Sequence, residues 1–168
     1  MSEFLVAFER MIENEGGYKL HTVKGDTGGM TYAGIARNSN PQWEGWAAID
    51  RGESPPEEMV KAFYKHSYWD GVSGDAINAQ PVADSLFDFA VNGGVGTARK
   101  LAQKVVKVEP DGVLGEISLA AINKIDPEVF VLRFALAKIG RYREIVTANP
   151  TQIKFLLGWI NRALKGIV

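Results

Sequence analysis

The spacing of apolar positions at the start of the chain predicts an amphipathic helix over residues 3–15. Phe4, Phe8, Met11, Ile12 and Glu15 stand at i, i+4, i+7, i+8 and i+11, one face of a helical period. Gly16-Gly17 predicts its end, because glycine enters the left-handed conformation that closes helices. The helical period is then lost. Residues 18–36 interleave glycines with Tyr18, Val23, Thr27, Thr31, Tyr32 and Ile35, which predicts a β-hairpin or an ordered loop. Trp43 and Trp46, with Gly45 between them, read as a loop. Ser54-Pro55-Pro56-Glu57-Glu58 predicts a helix running to about Trp69, with a serine cap, prolines in the first turn and acids at the positive end of the dipole. Asp70-Gly71 closes it.

In the second half, a helix opening near Pro81 places Val82, Leu86, Phe89 and Ala90 on its apolar side. Gly93-Gly94-Val95-Gly96 interrupts it, and Thr97 is the expected cap of the next helix, to about Val106. Residues 116–124, 127–147 and 150–165 each read as helical, with Asp126 capping the helix that starts at Pro127. The total is about six to eight helices and one short β-capable segment, so the expected class is mainly α. No long linker rich in Gly, Pro or Ser divides the chain. One compact domain is expected, with an inner boundary near Gly94 that separates residues 1–93 from 94–168. Asp70-Gly71-Val72-Ser73-Gly74-Asp75 and Asp111-Gly112-Val113-Leu114-Gly115-Glu116 echo each other, which shared turn chemistry explains as well as duplication does.

Composition narrows the chemistry. The 168 residues are of single-domain size, and their 46% hydrophobic content can fill a core. With 19 basic and 20 acidic side chains, nothing global points to nucleic acid. The absence of cysteine excludes disulfides, zinc ribbons, iron–sulfur clusters and thiol nucleophiles. His21 and His66 are the two histidines, too few for a multi-histidine metal site. No apolar run approaches the roughly 20 residues of a spanning helix. Met1-Ser2-Glu3-Phe4-Leu5 lacks the basic-then-apolar layout of a secretory signal. Charge is uneven: from Arg133 onward there are seven basic residues and one acid, Glu144. No phosphate loop follows Gly93-Gly94-Val95-Gly96, no Gly-x-Ser-x-Gly elbow occurs, and Asp111-Gly112 lacks the alternating oxygens of a calcium loop. The remaining chemistry is that of carboxylates, hydroxyls and amides, and no cofactor is expected.

Glu15 stands out. It falls on the apolar stripe, in the last turn of its helix, where desolvation and the negative end of the dipole both oppose ionisation. A glutamate so raised can serve as a general acid, and Gly16-Gly17 beside it leaves room for substrate. The same pattern also suits a structural glutamate paired with an arginine such as Arg10. Asp26 supplies a second carboxylate and Thr31 a hydroxyl that can orient a water, with Gly28 and Gly29 allowing close approach. Turn chemistry accounts for Asp26 equally well. Ser85, Asp88 and Asn92 form a polar stripe at i, i+3 and i+7, either lining a cleft or joining helices. That makes Asp88 the rival second carboxylate. Tyr64, Tyr68, Trp69, Trp43 and Trp46 read as sugar platforms or as core.

Glu15-Gly16-Gly17-Tyr18 followed by Asp26-Thr27-Gly28-Gly29-Met30-Thr31-Tyr32-Ala33-Gly34-Ile35 resembles the signature of glycoside hydrolase family 108, lysozyme-like N-acetylmuramidases of phage endolysins and bacterial secretion systems. The resemblance covers nearly the whole chain. It implies a lysozyme-like helical domain, Glu15 as catalytic acid, and cleavage of the β-1,4 bond between N-acetylmuramic acid and N-acetylglucosamine. The order Glu, Asp, Thr is also similar to the catalytic trio of phage lysozymes, with slightly different gaps. Val91-Asn92-Gly93-Gly94 and Asp111-Gly112-Val113-Leu114-Gly115 resemble the family's C-terminal half, described as peptidoglycan-binding.

The expected site is therefore Glu15, Asp26 and Thr31, with Gly16, Gly17, Tyr18, Gly28, Gly29, Tyr32, Trp69, Asp88 and Asn92 around the glycan. The partners expected are peptidoglycan strands, with no nucleic acid and no membrane insertion. The chain is expected to be a monomer made in the cytoplasm, released by a holin or a secretion machine to act on the wall. A wall-binding or secretion-accessory protein without turnover is the competing expectation. A chitinase or transglycosylase is a third.

Overall fold

The computed structural model describes residues 2–14, 16–22, 29–165 and 167, without the side chains of Asn14 and Thr22. The expected catalytic residues Glu15 and Asp26, and Gly28, lie outside the described residues. The described chain is mainly α: eight α-helices and one three-stranded antiparallel sheet, in two compact units.

The first unit, Glu3–Gly71, opens with helix α1, Phe4–Asn14. Phe4, Ala7, Phe8, Met11 and Ile12 are buried, so the apolar face read from the sequence is the face that packs. Phe8 meets Tyr64 at 5.8 Å and Phe4 meets Trp69 at 5.8 Å, ring centre to ring centre. Strands β1 (Leu20–Thr22), β2 (Met30–Tyr32) and β3 (Ile35–Ala36) follow in spatial order β1-β2-β3. Leu20 pairs with Tyr32, His21 with Thr31 and Thr22 with Met30, while Thr31 also pairs with Ala36. The two-residue turn between β2 and β3 is Ala33-Gly34, both at positive φ (49° and 80°), the twist that a tight hairpin requires. The described part of the glycine-rich segment thus forms a small sheet.

A six-residue helix, α2 (Gly45–Asp50), stands where the sequence suggested a loop. Packing decides this: Trp43 lies so close over Gly45 that a Cβ there would come within 2.3 Å of its ring. Helix α3 (Glu57–Tyr64) begins at Pro56 rather than at a Ser54 cap; Pro56 is extended (φ −56°, ψ 141°), and Glu57 and Glu58 fill the first turn. Residues Lys65–Trp69 continue it as a π-helical turn, closed by the Asp70 N–H donating to Lys65 O at 2.8 Å.

The second unit comprises residues 1–2 and Val72–Val168. Helices α4 (Gln80–Gly93), α5 (Val95–Val105) and α7 (Pro127–Ala148) pack mutually, with α6 (Glu116–Lys124) against α5 and α8 (Ile153–Leu164) against α7. Its core holds Leu86, Phe87, Phe89, Phe130 and Phe134. Asp126 caps α7 as expected, accepting from the Val129 N–H at 3.0 Å. Thr97 does not cap α5; that helix starts two residues earlier, after Gly94 at φ 85°. The expected helix over 150–165 opens as a single 3-10 turn, Pro150–Gln152, before α8.

Candidate active site

In the first unit, α1 ends in a double closure: the Gly17 N–H donates to Ile12 O at 2.9 Å and the Gly16 N–H to Glu13 O at 3.2 Å. Such paired bonds finish a helix when the residue after it is left-handed, and Gly16 and Gly17 lie at φ 85° and 78°. A Cβ at either would meet none of the described residues within 4 Å. The Lys19 N–H then donates to Gly17 O at 3.0 Å and the Ala33 N–H to Lys19 O at 3.1 Å, tying this turn to the sheet.

Thr31 stands at the centre of β2, half-buried, between His21 and Ala36. Tyr32, next to it, is buried and stacks on Trp43 at 6.1 Å. Burial raises the Tyr32 phenol above the usual tyrosine value, with the Glu57 carboxylate adding to the effect. Tyr18 is raised for the same first reason; Glu57 raises it further and Lys61 lowers it. Both phenols therefore remain protonated donors at neutral pH. Gly29 is half-buried, and a side chain there would press on the Asn38 amide at 3.0 Å.

The aromatic residues divide. Trp69 and Tyr64 are enclosed, at 0% and 1% exposure, so neither ring offers a face to a sugar. Trp69 packs edge-on against Phe4, and the Tyr64 hydroxyl donates to Ala33 O at 2.9 Å, bracing the hairpin turn. Trp46 is buried and donates through Nε1 to Asn40 O at 2.7 Å. Trp43 differs. It lines a cavity of about 550 Å³ with Asn40, Met59, Phe63, His66 and Ser67, and its own buried Nε1–H has no acceptor among the described residues.

In the second unit, the expected polar stripe of α4 has specific partners. Asp88 receives Arg162 of α8 through Nη2 at 2.8 Å and Nε at 3.3 Å. Asn92 donates to the main-chain oxygen of Asp88 at 2.7 Å. These contacts place Asp88 in a helix-to-helix ion pair. Sequence reasoning missed Gln103, whose Nε2 reaches Asp111 Oδ1 at 2.7 Å, Val113 O at 3.0 Å and Ser118 Oγ at 3.0 Å, while Oε1 accepts from the Gly112 N–H at 2.8 Å. The Asp111–Gly115 motif is thus a loop fastened by one buried amide. Gln103 holds the Asp111 carboxyl below the ordinary aspartate value, helped by the Val113 N–H.

A family model described as glycosyl hydrolase 108 matches residues 8–94. A model described as a predicted peptidoglycan domain matches residues 92–164. Among solved structures, the chain is similar to one titled "Structure of Brucella abortus SagA", with 27% identity over 95% of this chain and 88% of that one, at a TM-score of 0.73. No curated protein matches the chain.

Proposed function

The chain belongs to the glycosyl hydrolase 108 family, and on that premise we propose that it hydrolyses the β-1,4 bond between N-acetylmuramic acid and N-acetylglucosamine in peptidoglycan. The observation that carries this reading is the family match over residues 8–94, which spans positions 15 to 32. Glu15 protonates the leaving oxygen. Asp26, with Thr31 beside it in sequence order, holds the attacking water and takes its proton. Gly16, Gly17, Gly28 and Gly29 let the glycan approach the main chain, and the half-buried Tyr18 supplies a protonated hydroxyl to it, while Tyr32, buried against Trp43, braces the sheet beneath. Residues 1–93 form the catalytic region and residues 94–168 the region that grips the wall, in line with the second family match. The enzyme acts on the wall after release from the cytoplasm.

A water-activating base must stand far enough from the acid to admit the water, about 6.5–9.5 Å between carboxyls, and such an arrangement inverts the anomeric centre. Thr31 favours this route, since its hydroxyl can hold a water and has no part in forming a covalent intermediate. Digestion of purified sacculi, followed by mass analysis of the fragments, tests the reading. Fragments with reducing muramic ends are expected. Anhydro ends would make the chain a transglycosylase, and intact sacculi that retain the protein would make it a binding module.

A further inference from the structure

In helix α3 and the π-helical turn after it, Met59, Ala62, Phe63 and His66 recur at i, i+3, i+4 and i+7, one side of a helix, and Ser67 stands one turn beyond Phe63. The opposite side carries Val60 and Tyr64, which are buried. The first side is half-buried or exposed and forms one wall of the cavity of about 550 Å³. Residues 39–44 form the other wall, and their shape is fixed from within. The Asn40 N–H and Nδ2 both donate to Ala36 O, at 3.0 and 3.1 Å, while Asn40 O accepts from Trp46 Nε1 at 2.7 Å and from the Trp43 N–H at 3.2 Å. Trp43 stacks on Tyr32 and meets Phe63 edge-on at 6.2 Å. The cavity is therefore preformed, and its volume falls in the range of about 300–1,000 Å³ that holds small ligands. Tyr32 and Thr31 are neighbours in β2, so their side chains leave opposite faces of the sheet. The cavity beside Trp43 thus belongs to the face away from Thr31.

The lining selects the ligand. Among the described residues no lysine or arginine borders the cavity, so a phosphate or a polyanion finds no counter-charge there. Half-buried Trp43, Phe63 and Met59 give it apolar surface. Around them Ser39, Gln42, Glu44, His66 and Ser67 are exposed, and their side chains make no hydrogen bond or ion pair with the described residues. A wholly apolar ligand would leave that polar rim unused. A pyranose ring matches both parts, with its C–H face on the aromatic wall and its hydroxyls, which donate and accept, on the rim. An acetamido substituent adds a methyl group for the apolar wall and an amide for the rim. We propose that this cavity is a second saccharide site, which takes an N-acetylhexosamine unit of a glycan strand on the sheet face away from Thr31. The identity of the strand rests on the glycosidase reading; the place of the site rests on the cavity.

The test is heteronuclear NMR of the labelled full chain titrated with tetra-N-acetylchitotetraose, read at the indole N–H signals of its four tryptophans. The Trp43 signal, assigned by its loss in Trp43→Phe, should move and saturate with a Kd of about 1 mM. The signal of the enclosed Trp69 should stay still. Cellotetraose, which lacks the acetamido groups, should bind at least about fivefold more weakly. Gln42→Ala should raise the Kd about fivefold. Ser67→Tyr, at an exposed position, should fill the mouth of the cavity and remove the Trp43 shift with unchanged melting. The proposal is overturned if the Trp43 signal stays still at about 10 mM tetraose, if cellotetraose binds equally well, or if Ser67→Tyr titrates like wild type. Sacculus cleavage is scored separately. Intact sacculi with a responding Trp43 would contradict the glycosidase reading and uphold the site, whereas cleavage with a silent Trp43 would uphold that reading and overturn the site.

Discussion

At Lys138 an ammonium sits on the buried stripe Phe130, Phe134, Lys138, Tyr142 of α7, at 5% exposure and 5.4 Å from the Phe134 ring. Burial pushes it below the ordinary lysine value, while nearby Asp88 draws it up and Arg162 pushes it down. Because the folded value is the lower one, the unfolded chain holds the extra proton, and stability rises as pH climbs from that lowered value to the ordinary one. Lys138→Met should therefore stabilise the protein by about 1 kcal/mol at neutral pH, or about 2–4 °C in Tm. The advantage should shrink as pH rises through that window. Calorimetry of both proteins checks it, and an unchanged Tm would mean that Asp88 fully compensates the buried charge. Asp88→Asn breaks a pair whose side chains are 27% and 28% exposed. It should cost about 1–2 kcal/mol, and less in the Lys138→Met background, where no buried ammonium needs the carboxylate. Asp26→Asn should instead lower turnover far more than affinity. If Asp26 is the base, proton NMR of the first product should show the α-anomer, and a first-formed β-anomer would reopen the nucleophile role. The sequence already marked Glu15 as a carboxylate on an apolar face, and Lys138 carries the same signal at its i+4 spacing. The partner of Asp88 was not legible, since Arg162 lies 74 positions away and only helix packing brings it near.

Among the elements, those with strong local signals stand where the spacing put them. Helix α1 is amphipathic and ends at two glycines; α6 and α7 begin at Gly115-Glu116 and Asp126-Pro127. The misreadings fell where tertiary contacts outweigh propensity. A six-residue helix cannot hold itself in water, so α2 owes its form to Trp43 over Gly45 and to the Trp46 bond to Asn40. Gly45→Ala should accordingly destabilise the first unit, by about 1–3 kcal/mol, since the ring must shift. Gln103 was overlooked because an amide in the middle of a helix usually faces solvent. In α5 it faces inward and replaces the water that the 111–115 loop would otherwise require. Gln103→Leu should leave the Gly112 N–H without its acceptor and the Val113 carbonyl with only the Ser118 hydroxyl at 3.5 Å, at about 1–3 kcal/mol. The direct readout is hydrogen exchange: the Gly112 amide should lose its protection while the amides inside α7 keep theirs.

For the whole molecule, composition excluded thiol and multi-histidine chemistry and left carboxylates, and the motif from Glu15 to Ile35 narrowed the class to one family, whose model matches residues 8–94. The similarity to the SagA structure extends along 95% of the chain at 27% identity, so the mainly α architecture is preserved where most residues have changed. That is the behaviour expected when apolar spacing and turn positions carry the fold. The proposed wall-directed chemistry places the acid at Glu15. The most direct measurement is the rate of sacculus cleavage by Glu15→Gln beside wild type, with a thermal melt of each. The amide keeps the shape of the side chain but has no proton to give. Cleavage should fall by about 10²–10⁴ with the melt and sacculus binding unchanged; a folded Glu15→Gln protein retaining more than about a tenth of wild-type activity would contradict the assignment of Glu15 as the acid.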